Sequence, residues 1–309
     1  MSKIDLSVNL GGIKLRNPTL LASGILGVSG ETMKRVYESG AGGITLKSIT
    51  NAPRTGHPNP IMLSTEHYFM NAVGLSGQGI EGVQDEVKIL KDAGIPVIAS
   101  VFAASFEECG EIAAQFESYG VDAIELNVSC PNLAPGEQIG VTIGTSCELT
   151  EANTRAVKKA ISIPLIVKLS PNVTDIVSIA KAAVEAGADI ISAVNTFGPG
   201  LKIDIETGKP ILSNKLGGVS GPGIFPLALA CIWKIRQAVE VPIIGMGGIT
   251  TYEDALEMIM AGADAIAIGT AVHYEGMDVF GKIVQGVTGW MEQHGFSSLE
   301  QIRGVAHKC

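Results

Sequence analysis

The feature that most limits the fold of this chain is a recurring unit, in which a helix-like amphipathic segment stops at glycine and leads into four to six apolar, mostly β-branched residues. Glycine suits the end of a helix because it adopts the left-handed conformation of the cap. Each copy therefore predicts one helix followed by one strand. The clearest helix ends and strands are at residues 38–46, 92–99, 118–126, 163–168, 185–192, 241–245 and 261–269.

The number of predicted strands points to a closed sheet. Adding the apolar run at residues 19–22 gives eight strands, and their apolar residues run continuously, as in strands buried on both faces. Eight parallel strands with intervening helices predict an α/β fold, the (β/α)8 TIM barrel. An open doubly wound sheet is the alternative, but Ser-Gly-Ile-Leu-Gly at residues 23–27 lacks its Gly-x-Gly-x-x-Gly turn.

The rest of the chain fits one barrel domain spanning residues 1–309, because no linker divides it. Residues 6–15 predict two short strands around Gly11-Gly12, an N-terminal β-hairpin at the bottom of the barrel. The long connections follow the second, fourth and sixth strands, for example at residues 51–82, 129–147 and 196–222. Long loops on the C-terminal face are typical of the working end of a barrel.

Charge and cysteine content exclude several classes of protein. A formal charge of −9 without a Lys/Arg cluster argues against a nucleic-acid partner. The five cysteines form no Cys-x-x-Cys pair, and their odd number argues against a secreted disulfide framework. The five histidines show no pair at metal-ligand spacing, and no run of 18 uncharged apolar residues exists. We therefore expect a cytoplasmic protein with no metal site and no membrane association.

Polar residues stand where the predicted strands end, and in a barrel such positions meet at one mouth. These residues are Ser23, Lys47, Ser100, Asn127, Lys168, Asn195 and Thr196. Lys47 and Lys168 are the most informative, since a lysine that ends an apolar strand must be paired or contact an anion. An ion pair with Glu125 would explain either lysine alone, whereas two such lysines favour an anionic ligand.

Glycine-rich steps after the seventh and eighth strands, at residues 245–249 and 268–270, predict a phosphate site. With Ser220-Gly221-Pro222 after the sixth strand they would form a phosphate cup, although tight turns alone would explain single glycines. The cup suits a phosphorylated cofactor or substrate. A non-redox sugar-phosphate enzyme, similar to an aldolase or tryptophan synthase, and a barrel kept as a regulatory subunit therefore stay open.

A candidate reactive thiol follows the fourth strand, in the run Asn-Val-Ser-Cys-Pro-Asn at residues 127–132. Pro131 fixes its own backbone angle and pushes Cys130 toward an extended conformation, so the thiol points in a defined direction. Reactive groups are common in loops after strands. The alternative is a cysteine that serves as a small buried apolar residue.

Taken in chain order, these motifs resemble the dihydroorotate dehydrogenases over nearly the whole length. The residues that carry the resemblance are Lys47, Asn71-Ala72-Val73-Gly74-Leu75, residues 127–132, Lys168, Asn195-Thr196, Ser220-Gly221-Pro222 and Gly247-Gly248. The chain is most similar to class 1 enzymes, in particular the catalytic subunit of the NAD-linked type 1B. The resemblance implies an FMN enzyme that oxidises (S)-dihydroorotate to orotate in de novo pyrimidine (UMP) biosynthesis.

The resemblance also implies roles for residues. Cys130 would take a proton from substrate C5 while a hydride leaves C6 for the flavin, and Lys47 would bind the substrate carboxylate. The implied substrate-binding residues are Lys47, Asn71, Ala72, Val73, Gly74, Leu75, Asn127, Asn195 and Thr196. The implied FMN-binding residues are Ser23, Lys47, Ser48, Ser100, Asn127, Lys168, Val194, Gly221, Gly247, Gly248, Gly269 and Thr270, with Lys168 near flavin N1 and O2.

Partners follow from the same resemblance. The NAD-linked type implies a homodimer of this chain joined to an electron-transfer subunit with FAD and a [2Fe-2S] cluster, which makes a heterotetramer. This chain lacks the four closely grouped cysteines that such a cluster requires. A fumarate-linked homodimeric enzyme or a related dihydropyrimidine oxidoreductase stays open. Two departures matter: Ser76-Gly77-Gln78-Gly79 replaces the usual Gln-Asn-Pro-Gly, and Ser100 stands near a position that is usually a flavin-contacting asparagine.

Overall fold

The computed structural model describes residues 4–128 and 143–308. Its strands are β1 (Val8–Leu10), β2 (Ile13–Leu15), β3 (Thr19–Leu21), β4 (Gly43–Thr45), β5 (Met62–Ser64), β6 (Phe69–Asn71), β7 (Val97–Val101), β8 (Ala123–Asn127), β9 (Leu165–Lys168), β10 (Ile190–Ala193), β11 (Phe197–Leu201), β12 (Ile203–Asp204), β13 (Lys209–Pro210), β14 (Leu216–Ser220), β15 (Ile243–Met246) and β16 (Ala265–Ile268). Its α-helices are α1 (Gly30–Glu38), α2 (Gln84–Asp92), α3 (Phe106–Ser118), α4 (Cys147–Ala160), α5 (Ile176–Glu185), α6 (Phe225–Arg236), α7 (Tyr252–Met260), α8 (Ala271–Glu275) and α9 (Val279–His294). Short 3-10 helices lie at Glu81–Val83, Pro222–Ile224, Leu299–Gln301 and Val305–Lys308.

Eight of these strands form a closed parallel barrel in the order β3-β4-β7-β8-β9-β10-β15-β16, and β16 pairs back with β3. Each strand predicted from the recurring unit is a barrel strand, so the (β/α)8 prediction is confirmed. The residues of β7 and β8 are buried throughout, as their mostly apolar sequences predict. No helix in the described part of the chain is long and apolar enough to cross a membrane.

The recurring unit also fixes the bottom of the barrel through aspartates that stand just before strands β8, β10 and β16. Each carboxylate accepts a hydrogen bond from the backbone N–H that begins the preceding barrel strand in the sequence. These bonds join Asp122 to Val97 at 2.7 Å, Asp189 to Leu165 at 2.7 Å and Asp264 to Ile243 at 2.8 Å. A basic residue of the helix before that strand pairs with each: Lys91, Lys158 and Arg236. Hydrogen bonds and ion pairs therefore stabilise the N-terminal end of the barrel, and the C-terminal end is left for a ligand.

The N-terminal hairpin lies where the sequence predicted it. Strands β1 and β2 pair antiparallel around Gly11-Gly12, with Leu10 opposite Ile13. Both glycines have positive φ, as a tight turn here requires. A Cβ on Gly11 would lie 3.0 Å from Cδ1 of Ile190, the first residue of β10. The turn therefore packs against the bottom of the barrel.

Two of the long connections after barrel strands combine into one structure. The connection after β4 contains β5 and β6, and that after β10 contains β11 and β14, which together form a four-stranded sheet in the order β11-β14-β6-β5. Its strands pair antiparallel, with Met70 opposite Val219. Sequence analysis treated both segments as loops and missed this sheet. The connection after β8 lies mostly outside the described residues.

Candidate active site

A cavity of about 250 Å³ opens at the C-terminal end of the barrel. Its volume is near the lower end of the roughly 300–1,000 Å³ usual for small-molecule sites. The sequence-predicted residues that line it are Ser23, Lys47, Ser48, Asn71, Val73, Gly74, Leu75, Asn127, Lys168, Val194, Asn195, Thr196, Gly221, Gly247, Gly248, Gly269 and Thr270. Residues far apart in the sequence thus meet at one mouth, as the strand-end pattern predicted.

Three predicted site residues are not in this lining. Ala72 is fully buried and belongs to a small apolar cluster with Met70 and Leu212. Ser100 is fully buried, and its Oγ lies 2.8 Å from Oγ of Ser48, so it stands behind a lining residue. Cys130 lies outside the described residues, together with the rest of its loop.

Sequence analysis missed the apolar wall of the cavity. Met62 and Phe69 contribute to this wall from β5 and β6, and Ile224, Met246 and Ile249 are further apolar residues in the lining. The sequence signal available for Met62 and Phe69 was their place in residues 51–82, one of the long connections predicted at the working end of the barrel. Apolar side chains and polar groups thus line the same cavity, as they do in most small-molecule sites.

The two lysines singled out by the sequence have different surroundings. Lys168 lies 3.6 Å from Glu125 between Nζ and Oε1, so the ion pair considered as an alternative is present for this lysine. Lys47 instead donates a hydrogen bond from Nζ to Oγ of Ser76 at 2.9 Å. Burial, with no opposing contribution from a carboxylate among the described residues, lowers the pKa of Lys47. An anion bound beside Lys47 would therefore supply the charge partner that the described protein residues do not.

Hydroxyl groups hold the carboxamide of Asn127 at the floor of the cavity. Asn127 Nδ2 donates to Ser48 Oγ at 3.0 Å, and Ser48 Oγ in turn lies 2.8 Å from Ser100 Oγ. Ser23 Oγ is 3.4 Å from the same Ser48 hydroxyl. Because all three groups converge on Ser48, the orientation of Asn127 is set by a network that reaches the buried Ser100.

Glycines form a cradle between the loop after β15 and the start of α6. Gly221, Gly247 and Gly248 have φ of +88°, +121° and +79°. A Cβ on Gly248 would lie 2.7 Å from the backbone nitrogen of Phe225, the first residue of α6, and 2.9 Å from the carbonyl oxygen of Gly221. The backbones therefore approach more closely than any side chain permits, near the N-terminus of a 12-residue helix.

Hydroxyl groups complete the rim of this cradle. Thr270 Oγ1 donates to Ser220 Oγ at 2.8 Å, and both residues line the cavity. Exposed backbone N–H groups, hydroxyls and a helix N-terminus are the groups that proteins use to bind phosphate. The predicted phosphate cup thus combines hydroxyls, closely packed glycine backbone and a helix N-terminus at one side of the cavity.

The fold and this cavity define a (β/α)8 barrel enzyme whose site lies at the C-terminal end of the barrel. Comparison with known proteins gives the family. The profile of the family described as dihydroorotate dehydrogenase matches residues 5–291. The chain therefore belongs to the dihydroorotate dehydrogenase family.

Curated relatives match over nearly their whole length. A protein of Methanothermobacter thermautotrophicus, named dihydroorotate dehydrogenase B (NAD(+)), catalytic subunit, is 45% identical over 302 residues, which cover 98% of each chain. A protein with the same name from Methanocaldococcus jannaschii is 42% identical, and the match covers 100% of this chain and 100% of the relative. Another from Alkaliphilus metalliredigens is also 42% identical, and the match covers 98% of this chain and 99% of the relative. A crystal structure of the Eimeria tenella enzyme DHODH in complex with ferulenol superposes with a TM-score of 0.86 over 99% of this chain and 89% of that one. At 22% identity, it supports the fold alone.

Proposed function

We propose that this protein oxidises dihydroorotate to orotate in pyrimidine biosynthesis, as the catalytic subunit of an NAD-linked dihydroorotate dehydrogenase. The observation that carries the proposal is the meeting of two lysines and three carboxamides in one cavity beside a glycine cradle. These residues are Lys47, Lys168, Asn71, Asn127 and Asn195. Carboxamides match the donor and acceptor edges of a pyrimidine ring, and lysines match its carboxylate and a flavin.

The described residues fit FMN as the cofactor. The cradle of Gly221, Gly247 and Gly248 has no room for a side chain, and its donors suit the ribityl phosphate. Lys168 and the hydroxyl of Ser48 would hold the flavin ring, next to the apolar wall. When bound, FMN supplies the acceptor for the hydride that leaves C6 of the substrate.

The chain itself would bind the substrate and move one proton. Lys47 binds the carboxylate of the substrate. The Lys47 ammonium has no carboxylate partner among the described residues, so the substrate carboxylate replaces solvent beside it. Asn127 is already oriented by Ser48, so it meets the pyrimidine ring at little further entropic cost. Cys130 takes the proton from C5 as its thiolate, so that loss of this proton and of the C6 hydride leaves a C5=C6 double bond.

Absorbance and anaerobic reduction test the proposal. We expect the purified protein to carry a flavin absorbance band that dihydroorotate bleaches without oxygen. Lys47→Met should keep the band, because the phosphate cradle is untouched, yet need far more dihydroorotate for bleaching. A colourless protein that cannot be reconstituted with FMN would contradict the proposal and favour a sugar-phosphate enzyme.

The electrons would leave through a partner subunit that carries FAD and a [2Fe-2S] cluster and passes them to NAD. The relatives' printed names, which designate catalytic subunits of an NAD(+) enzyme, support this assignment. NAD reduction should therefore require the partner subunit and should appear when it is added. If the isolated chain reduced fumarate at full rate, the homodimeric fumarate-linked alternative would replace this part of the proposal.

We also propose that this chain forms the homodimer at the centre of a heterotetramer. An apolar surface on and beside the antiparallel sheet supports this. Leu201 and Leu216 are opposite each other across β11 and β14 and are about half exposed, and Ile205 on the adjoining hairpin is 88% exposed. Exposed apolar surface of this kind is typical of subunit interfaces. Ile205→Glu should shift the mass measured by light scattering from dimer to monomer, whereas Glu206→Gln on the next residue should not.

A further inference from the structure

A buried carboxylate lies beneath the floor of the cavity. Glu125 is in the middle of β8 and only 2% exposed, in a strand whose other residues are Ala, Ile, Leu and Asn. Its Oε2 accepts a hydrogen bond from Ser192 Oγ at 3.2 Å, while its Oε1 has no hydrogen-bond partner among the described residues. Burying a carboxylate costs several kcal/mol unless it is well paired, so an apolar residue would fill this position more stably.

The ionic partner of this carboxylate belongs to the cavity. Lys168 is 5% exposed, lines the cavity, and places Nζ 3.6 Å from Glu125 Oε1. Across the barrel sheet, Lys168 is in register with Asn127 on one side and Ser192 on the other. Glu125 precedes Asn127 by two residues on the same strand, so both face the barrel interior, with Glu125 one layer deeper. The ion pair therefore joins the floor of the cavity to the layer below it.

We propose that Glu125 is a positioning residue that holds the Lys168 ammonium at the cavity floor and offsets its positive charge. The ion pair thereby determines how strongly the site stabilises negative charge on a bound flavin. The inference rests on the proposed function, because the ligand concerned is FMN. Reduction of the flavin adds negative charge, which a cation nearby stabilises. A neighbouring carboxylate reduces that effect and keeps the reduced flavin able to pass its electrons on.

The midpoint potential of bound FMN, measured by equilibration against a reference dye, tests the inference. Glu125→Gln keeps the shape of the side chain and removes its charge, so the potential should rise. Removal of one charge from beneath the site, at an effective dielectric constant of ~20, should change the equilibrium constant for reduction on the order of tenfold. For a two-electron couple, this corresponds to about 30 mV. Glu125→Leu removes the same charge, so either variant serves if the other does not fold.

A double-mutant cycle shows whether Glu125 acts through Lys168. In Lys168→Met the ammonium that Glu125 holds is gone, so adding Glu125→Gln should shift the potential much less than it does in the wild-type protein. Asp189→Asn is the matched control, since it neutralises a lysine-paired carboxylate at the opposite end of the barrel, where Lys158 is 2.6 Å away. It should not shift the potential.

The outcomes separate this inference from the proposed function. If wild-type protein bound no flavin, both would be wrong. If it bound FMN and was reduced by dihydroorotate, while Glu125→Gln had the wild-type potential, the proposed function would stand and the role of Glu125 would be refuted. If Glu125→Gln shifted the midpoint potential equally in the wild-type and Lys168→Met backgrounds, the role of Glu125 through Lys168 would also be refuted.

Discussion

The glycine cradle allows a quantitative prediction for Gly248→Ala. Gly248 has φ of +79°, where an L-residue costs roughly 1–2 kcal/mol. The added Cβ would also lie 2.7 Å from Phe225 N, a contact that forces α6 to move. Overpacking of this kind costs a further ~1–3 kcal/mol. We therefore expect the free energy of unfolding of the apoprotein, measured in urea, to fall by about 2–5 kcal/mol.

Gly120→Ala separates backbone strain from close contact. Gly120 has a similar φ of +84°, but a Cβ there would have nothing within 4 Å. This variant should lose only the roughly 1–2 kcal/mol of strain. FMN affinity, measured by quenching of flavin fluorescence, should fall more than about tenfold in Gly248→Ala, a loss of about 1.4 kcal/mol, and stay unchanged in Gly120→Ala. If both variants bound FMN like wild type, the cradle would not be the phosphate site.

Three further outcomes can be checked on the same protein. Cys130→Ala should retain FMN but lose flavin reduction by orders of magnitude at neutral pH in stopped-flow absorbance, and near-normal reduction would remove the thiol from the mechanism. Because burial lowers the pKa of Lys47 below 10.5, orotate affinity should be full at neutral pH and decline as the pH rises through that lowered pKa. Lys47→Arg should bind independently of pH over this range, and a parallel decline in both proteins would assign the titration elsewhere. Asp264→Ala, which removes the carboxylate that the partly buried Arg236 and Arg303 share, should lower the free energy of unfolding by about 3 kcal/mol in urea without changing FMN affinity per folded molecule.

The barrel was predictable because its information is local and repeated. A glycine stop, a short polar step and a run of apolar residues specify one helix end and one strand, and the structure places each such run in the barrel. The sheet formed by β5, β6, β11 and β14 was not predictable in this way. It pairs Asn71 with Gly218, far away in the sequence. Strands β5 and β6 have only three residues each, and β11 and β14 contain glycines. Nothing in either segment alone specifies that partner.

The lining of the site was predictable to a similar extent. Polar residues at strand ends were found because a barrel brings all strand ends to one mouth. Ser100 shows the limit of that reasoning. It is the last residue but one of β7, yet its hydroxyl contacts Ser48 and it does not line the cavity. Whether a strand-end side chain reaches the ligand or supports its neighbour depends on its depth in the barrel, which the sequence does not specify.

The two lysines show how one sequence signal can lead to different chemistry. Both follow apolar runs, but β4 ends at Thr45, two residues before Lys47, whereas Lys168 is the last residue of β9. Lys168 therefore remains beside the barrel strand that carries Glu125, while Lys47 lies beyond the sheet, where its amide bonds to Gly27 O at 3.0 Å and its ammonium to Ser76. A difference of two residues in position relative to the strand end thus separates a lysine whose charge is offset by the protein from one whose charge is left for the ligand. The first is suited to adjusting the charge of a bound cofactor, and the second to holding a substrate carboxylate.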